Sequence, residues 1–177
     1  MRAFRIAVAA SPLVALLLAA GCASYRVGAE SLYAFDVQTV YVPMIESFSF
    51  RRDLGERLTE AVVKEIELKT PFKVVNSPVA DSVLTVTLLE DRRQTLAEDP
   101  FDQPRLLEND VVAQVSWVNQ RRIQLAPPMA IPAPDGILPF RQGARLIPAA
   151  GQSVVQSQQE AIERLAEQIV SSMEEPW

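Results

Sequence analysis

The chain has 177 residues, of which 49% are hydrophobic, and 17 basic against 22 acidic residues leave a formal net charge of −5. This acidic balance argues against general nucleic-acid binding, which requires a basic face. The sequence has no histidine and one cysteine. It therefore lacks the commonest general base and the commonest zinc ligand, and it cannot form an internal disulfide.

The N-terminus has the pattern of a bacterial lipoprotein signal peptide. Arg2 and Arg5 precede an apolar run over 6–20, and three small residues, Ala-Ala-Gly, stand directly before Cys22. The run is too short to span a bilayer as a helix, which takes about 20 apolar residues. The pattern predicts removal of residues 1–21 and attachment of a diacylglyceryl thioether to the thiol of Cys22. An ordinary secretory signal with an incidental cysteine is the alternative.

Lipidation would place the mature chain in the cell envelope. Residues 22–36 are then a lipidated tether, and residues 37–177 have the size of one domain. Ala23 follows the cysteine, where an aspartate would hint at retention in the inner membrane. The sequence thus predicts a protein that is lipid-anchored at the outer membrane.

The first part of the mature chain predicts a strand and then a helix. Residues 39–45, TVYVPMI, have the composition of a strand, and Pro43 places one end at a sheet edge or bulge. Residues 49–70 predict an amphipathic helix that ends before Pro71. Its apolar stripe comprises Leu54, Leu58, Val62 and Ile66.

The middle of the chain predicts three strands. Residues 72–76 form a short one, residues 82–89 alternate between apolar and polar, and residues 110–120 alternate again. The polar residues 90–95 continue the second of these as strand or loop, and residues 97–109 are interpreted as a loop because they contain Asp-Pro and Gln-Pro pairs.

The last third begins with a proline-rich segment, residues 125–148, which we interpret as a long surface excursion docked through Ile137, Leu138 and Phe140. A closing helix is predicted over 153–173, with a capping box beginning at either Ser153 or Ser157. Its apolar stripe comprises Ile162, Leu165, Ile169 and Met173.

The element order β-α-β-β-β-α indicates the fold. Two amphipathic helices each need an apolar surface to cover, and a small sheet with one apolar face supplies it. The prediction is an α+β fold, a two-layer sandwich in which two helices pack on a four-stranded mixed sheet. The first strand–helix–strand unit favours a parallel pair, and the later strands favour an antiparallel meander.

Short motifs along the first half resemble the LptE family of lipopolysaccharide-assembly lipoproteins. They are GCASYRVG at 21–28, VYVP at 40–43, LTEA at 58–61, TPFKVV at 70–75 and ADSVL at 80–84. The order and spacing of the motifs carry the resemblance. The ending SMEEPW is similar to divergent members of the kind found in Planctomycetes, and the proline-rich segment departs from the compact members.

The resemblance implies a function as well as a fold. It implies two helices on a four-stranded sheet, seated inside a large outer-membrane β-barrel partner, LptD, which the lipoprotein helps to assemble. It also implies help in delivering lipopolysaccharide to the outer leaflet. An adaptor of another envelope export machine is one alternative, and a periplasmic enzyme or enzyme activator is another.

The candidate binding residues are basic. Arginines at Arg92, Arg93, Arg121 and Arg122 could bind the phosphates or acidic sugars of a glycolipid, although solvated strand ends are the plainer interpretation. The two pairs are expected near opposite ends of neighbouring strands, and Arg141 with Arg145 could supply another cluster.

Other side chains indicate packing or docking, and none indicates chemistry. Trp117 is expected in the core, and Trp177 is expected at a contact. No Gly-rich phosphate loop, metal-ligand cluster or nucleophile elbow occurs, so the sequence predicts neither an enzyme nor a cofactor.

Overall fold

A computed structural model describes Tyr33 and residues 36–51, 53–121, 123, 125 and 138–174. Two long helices and two long strands account for much of this part. In chain order the elements are β1 (Thr39–Tyr41), β2 (Glu46–Ser47), α1 (Asp53–Lys69), β3 (Lys73–Val74), β4 (Ser82–Glu98), β5 (Pro104–Asn119), β6 (Leu138–Leu146), a 3-10 turn (Pro148–Ala150) and α2 (Val154–Ser171).

The strands form one mixed sheet, and the predicted two-layer α+β architecture is confirmed. The order is β3-β1-β4-β5-β6, with β2 paired to β4 off this path. β1 is parallel to β3 and to β4, and β2 is parallel to β4. β4 with β5, and β5 with β6, are antiparallel. The sheet has six strands rather than the predicted four, because β2 is a separate short strand that follows the first predicted one, and β6 is additional.

The interpretation of 125–148 as a surface excursion is wrong for its last part, which is the strand β6. Pro139 is compatible with this strand because β6 lies at the sheet edge, where one side makes no ladder hydrogen bonds. Leu138 and Phe140 are buried, as are Ala144 and Leu146 further along. Ile137 and the residues before it, back to 126, lie outside the described residues.

Both helices bury the predicted apolar stripes. Leu54, Leu58, Val62 and Ile66 of α1 are buried, and α2 buries its own stripe against β5 and β6. The start of α2 is at the first of the two alternative capping boxes. Ser153 is the N-cap, and its hydroxyl accepts a hydrogen bond from the amide of Gln156 at 3.1 Å.

Aromatic side chains close the core at one end of the sheet. Trp117 is 2% exposed, which confirms its predicted place in the core. Its ring lies 5.8 Å from that of Phe72, which in turn meets Tyr33 edge-on at 5.4 Å. Tyr33 was expected in the tether, yet it is buried, and its hydroxyl donates to the carbonyl of Lys69 at 3.2 Å.

The prediction of a loop over 97–109 is wrong, because β4 and β5 form one long hairpin with a short connection at 99–103. A bulge at Leu89 interrupts the register of β4. At the tip, the carboxylate of Asp99 accepts hydrogen bonds from the amides of Phe101 and Gln103, each at 2.9 Å. These bonds form a tight turn that replaces the expected loop.

Candidate ligand-binding surface

One face of the sheet packs against the helices, and the other is uncovered by any described residue. On β4, Leu84, Val86 and Leu88 are buried, whereas Thr85 between them is exposed. On β5, buried Val111, Ala113, Val115 and Trp117 alternate with partly exposed neighbours. We call the second surface the open face. Its main members are Thr85, Thr87, Glu90, Arg92 and Gln94 of β4, Glu108, Asp110, Val112, Gln114 and Ser116 of β5, and Pro139, Arg141, Gly143 and Arg145 of β6.

Three arginines lie on the same part of the open face. Arg92 of β4 is opposite Asp110 of β5, which is in turn opposite Gly143 of β6. Arg141 and Arg145 lie two residues to either side of Gly143 on β6. Two strand spacings and a two-residue offset put the Cα of Arg92 about 12 Å from those of Arg141 and Arg145, a distance over which the long side chains can reach one anionic group. We call Arg92, Arg141 and Arg145 the arginine cluster.

The charges of the arginine cluster are only partly neutralised. Arg145 pairs with Glu108 at 3.2 Å. Among the described residues, Arg92 and Arg141 form no ion pair within 4.0 Å. The carboxylate of Asp110 lies directly over Gly143, so that a Cβ at that position would run into it. The arginine cluster therefore offers two guanidinium groups without an ion pair among the described residues, beside the carboxylates of Glu108 and Asp110.

Of the four arginines predicted as lipid-binding residues, the three that the structure describes are not brought together. Arg93 lies on the helix face of β4, where its Nε donates to Asn109 Oδ1 at 3.0 Å. Arg121 follows β5, at the end where Asn119 pairs with Ser82. Arg92 lies ten residues along β4 from Ser82, which is about 33 Å. The expectation that the two pairs lie at opposite ends is therefore confirmed for Arg121, and Arg122 lies outside the described residues.

The strand order β4-β5-β6 places Arg92 on the same face as Arg141 and Arg145. Because residues 138–146 were not expected to form a strand, the sequence did not place these arginines beside β4. The sequence did contain a strand pattern, because the buried residues are spaced by two or four positions and so share one face of a strand. They are Leu138, Phe140, Ala144 and Leu146.

A network of side-chain hydrogen bonds connects the helix layer to β4 and β5 on the covered side of the sheet. Arg51 donates to Gln158 Oε1 at 2.6 Å, and Gln158 donates to Asp91 Oδ2 at 3.1 Å. Buried Asn109 donates to the hydroxyl of buried Ser157. These groups satisfy one another, so their role is to fix the start of α2 on the sheet.

The shifted pKa values also arise in structural contacts. The pKa of Asp81 lies below its usual value because the side chain and amide of Thr39, then the amide of Gln38, donate hydrogen bonds to the carboxylate. The pKa of Asp99 is lowered chiefly by the amide of Gln103. Glu98, Asp99 and Asp102 meet at the hairpin tip, where Asp99 is engaged in the turn.

Neither a metal-ion cluster nor a membrane-spanning helix occurs within the described residues. No group of three or more His, Cys, Asp or Glu side chains is arranged there to hold a metal ion. Nor is any of the described helices long and apolar enough to cross a membrane. The arrangement offers charged and apolar surfaces suited to binding.

The architecture defines a class, small two-layer α+β domains with one uncovered sheet face. The family model for LptE, described as lipopolysaccharide-assembly, matches residues 37–174. The match covers most of the chain, which belongs to this family. It is a family of lipoproteins of lipopolysaccharide assembly and is not a family of enzymes.

Solved structures share the fold at low sequence identity. Lipoprotein B from Nitrosomonas europaea is 13% identical with a TM-score of 0.56, over 83% of this chain and 87% of that one. A PelC dodecamer from Paraburkholderia phytofirmans is 11% identical with a TM-score of 0.51, over 81% and 93%. A hypothetical protein from Chlamydia trachomatis is 10% identical with a TM-score of 0.50, over 76% and 94%. No curated protein matches the sequence.

Proposed function

We propose that this protein is an outer-membrane lipoprotein, anchored through Cys22, that binds and helps to assemble an LptD-type β-barrel and assists lipopolysaccharide transport. The observation that carries the proposal is the match of the LptE family model over residues 37–174. The signal-like segment before Cys22 supports an envelope location, because the cysteine follows small residues at the end of an apolar run.

The arginine cluster supports a role in handling the glycolipid. Lipopolysaccharide carries phosphates and acidic sugars, and arginine recognises such groups through paired hydrogen bonds. Arg92 and Arg141 lie on the same face of the sheet, two strands apart, and form no ion pair among the described residues. Of the arginines predicted from the sequence, Arg92 is thus retained in the proposed lipid site. Arg93 and Arg121 lie elsewhere, and their part in lipid binding stays a prediction.

The proposal is tested by affinity purification of the full chain through a C-terminal tag from detergent-solubilised envelope. A large β-barrel protein should be recovered in about equal amount with the tagged chain. A tagged lipoprotein of another family, expressed at the same level, controls for barrels that adhere to any lipoprotein. Recovery of no barrel, or of the same barrel with the control, would overturn the plug model.

A further inference from the structure

An open groove of about 660 Å³ runs along α1, and residues of α1 line it together with Met44 and without any residue of α2. Its apolar part combines Met44 and Leu68, which are 64% and 72% exposed, with the partly buried Val63. We call this surface the α1 groove. It is separate from the arginine cluster, which lies on the other side of the sheet.

The wall of the α1 groove is held in place. The amide of Ile45 donates to the hydroxyl of Thr59 at 3.0 Å, and that hydroxyl donates to the carbonyl of Gly55 at 2.8 Å. Gly55 allows the close approach, because a Cβ at this position would collide with the carbonyl oxygen of Ile45. The segment before β2 is therefore fixed against α1, and Met44 is presented beside the helix.

The dimensions of the groove suit a helix. From Glu56 to Leu68 the groove follows α1 for about 18 Å, or roughly three turns. Apolar side chains at helical spacing on a partner could contact Met44, Val63 and Leu68 in succession. An extended strand would find no free sheet edge here, since the wall is a helix.

The charge of the rim selects the partner. Glu56, Glu60 and Glu67 line the groove against a single cation, Lys64. Among the described residues none of these four forms an ion pair within 4.0 Å. A second copy of the chain would bring the same excess of carboxylates against this rim, and so would an anionic lipid surface. Both are disfavoured, whereas lysine and arginine are attracted.

We propose that the α1 groove is a docking site for a basic amphipathic helix of another protein. The apolar residues of the partner helix cover Met44, Val63 and Leu68. The lysine or arginine side chains of the partner helix pair with Glu60 and Glu67. The docking site stands independently of the proposed transport function, because it rests on the shape and charge of the groove.

The test is site-specific photo-crosslinking of the full chain in native envelope. Benzoylphenylalanine replaces Leu68, and in a matched control it replaces Val155, an apolar residue of α2 that is 63% exposed. Mass spectrometry then identifies the cross-linked peptide. We expect a product at position 68 that is absent at position 155, and a partner peptide with apolar residues at helical spacing flanked by lysine or arginine.

Charge-reversal variants provide a second test of the docking site. Glu60→Lys with Glu67→Lys should lower the cross-linking yield at position 68 roughly tenfold, which corresponds to about 1.4 kcal/mol of binding free energy, because two attractions become repulsions. Glu98→Lys with Glu163→Lys makes the same change of net charge outside the groove and should leave the yield unchanged. Circular dichroism checks that both variants are folded.

Several results would overturn the docking site. These are no protein product at position 68, a product with a second copy or with lipid, an acidic partner peptide, or equal loss in both charge variants. Recovery of a barrel in the affinity experiment without a product at position 68 would overturn the docking site and leave the proposed function in place. A cross-linked basic helical partner without any recovered barrel would overturn the proposed function and leave the docking site in place.

Discussion

Asp81 and Thr39 join the starts of two parallel strands by reciprocal hydrogen bonds. The carboxylate of Asp81 accepts from the amide of Thr39 at 2.9 Å and from its hydroxyl at 2.8 Å. The same hydroxyl accepts from the amide of Asp81 at 2.9 Å. The contact sets the register in which Val40 is paired with Ser82, across a chain separation of 42 residues.

Asp81→Asn should lower the free energy of unfolding by about 1–2 kcal/mol, because hydrogen bonds to a charged acceptor are the stronger kind. The folded pKa of Asp81 lies below the ordinary 3.8. Its contribution is therefore complete above that value and is lost as the pH falls through the folded pKa. Urea unfolding from pH 7 to pH 2 should show the difference between the two proteins shrinking in acid. Asp36→Asn, at an exposed carboxylate, is the control, and a difference that stays constant into acid would contradict this account.

Gly55→Ala should destabilise the protein by about 1–3 kcal/mol, since the new Cβ meets a backbone oxygen that cannot move without shifting the segment before β2. Gly143→Ala is the matched control. There the Cβ first meets the end of the Asp110 side chain, which can rotate away. Thermal unfolding of the two variants compares them, and equal losses would show that the segment at Ile45 is not held closely.

The buried pair of Asn109 and Ser157 should show strong coupling. Asn109→Ala leaves the Ser157 hydroxyl without this donor, and Arg93 without its acceptor, at a cost of about 1–3 kcal/mol. In a double-mutant cycle with Ser157→Ala, the second substitution should add less than it costs alone. Strict additivity in urea unfolding would argue that the two side chains act independently.

Arg92→Ser with Arg141→Ser should weaken binding of purified lipopolysaccharide by the full chain about tenfold or more, because each charge-assisted hydrogen bond is worth roughly 1.5–3 kcal/mol. The variant Arg121→Ser, changed at the far end of the sheet, should lose less affinity, because Arg121 lies outside the arginine cluster. Equilibrium binding in a mild detergent measures both variants. Equal weakening by Arg121→Ser would place recognition in the overall charge of the protein.

Cys22→Ala should yield an unlipidated precursor that migrates more slowly in gels and does not incorporate labelled fatty acid. The thiol is the only group at this position able to take the thioether, and alanine keeps the size of the site small. Density-gradient fractionation reports where the variant accumulates. Normal outer-membrane fractionation would show that anchoring does not depend on a lipid at Cys22.

The helices and the central strands could be predicted because their periodicity is local. Leu54, Leu58, Val62 and Ile66 recur every fourth residue, so one face of α1 is apparent without knowledge of its partner. The outer half of β4 has no such signal. Both faces of the hairpin are solvated beyond the helices, and most residues of the outer half of β4 are therefore polar.

The arginine cluster could not be predicted, because it depends on pairing across a distance in sequence. Arg92 and Arg141 are 49 residues apart, and β5 brings them to one face. The many prolines of residues 125–148 argued against a strand, but the sheet edge, where Pro139 lies, tolerates proline where an inner position does not. Local composition could not distinguish those two positions.

The long hairpin gives the molecule a fixed reach. β4 begins at the end of the domain where Tyr33 is buried, and its 17 residues extend for about 50 Å to the turn at Phe101. If a lipid at Cys22 holds the Tyr33 end of the domain near a membrane, the turn can lie farther from that membrane than the roughly 30 Å thickness of a bilayer's hydrocarbon core. The length of the hairpin then sets the distance between its tip and the anchored end. Shortening the hairpin by two residue pairs would reduce that distance by about 7 Å.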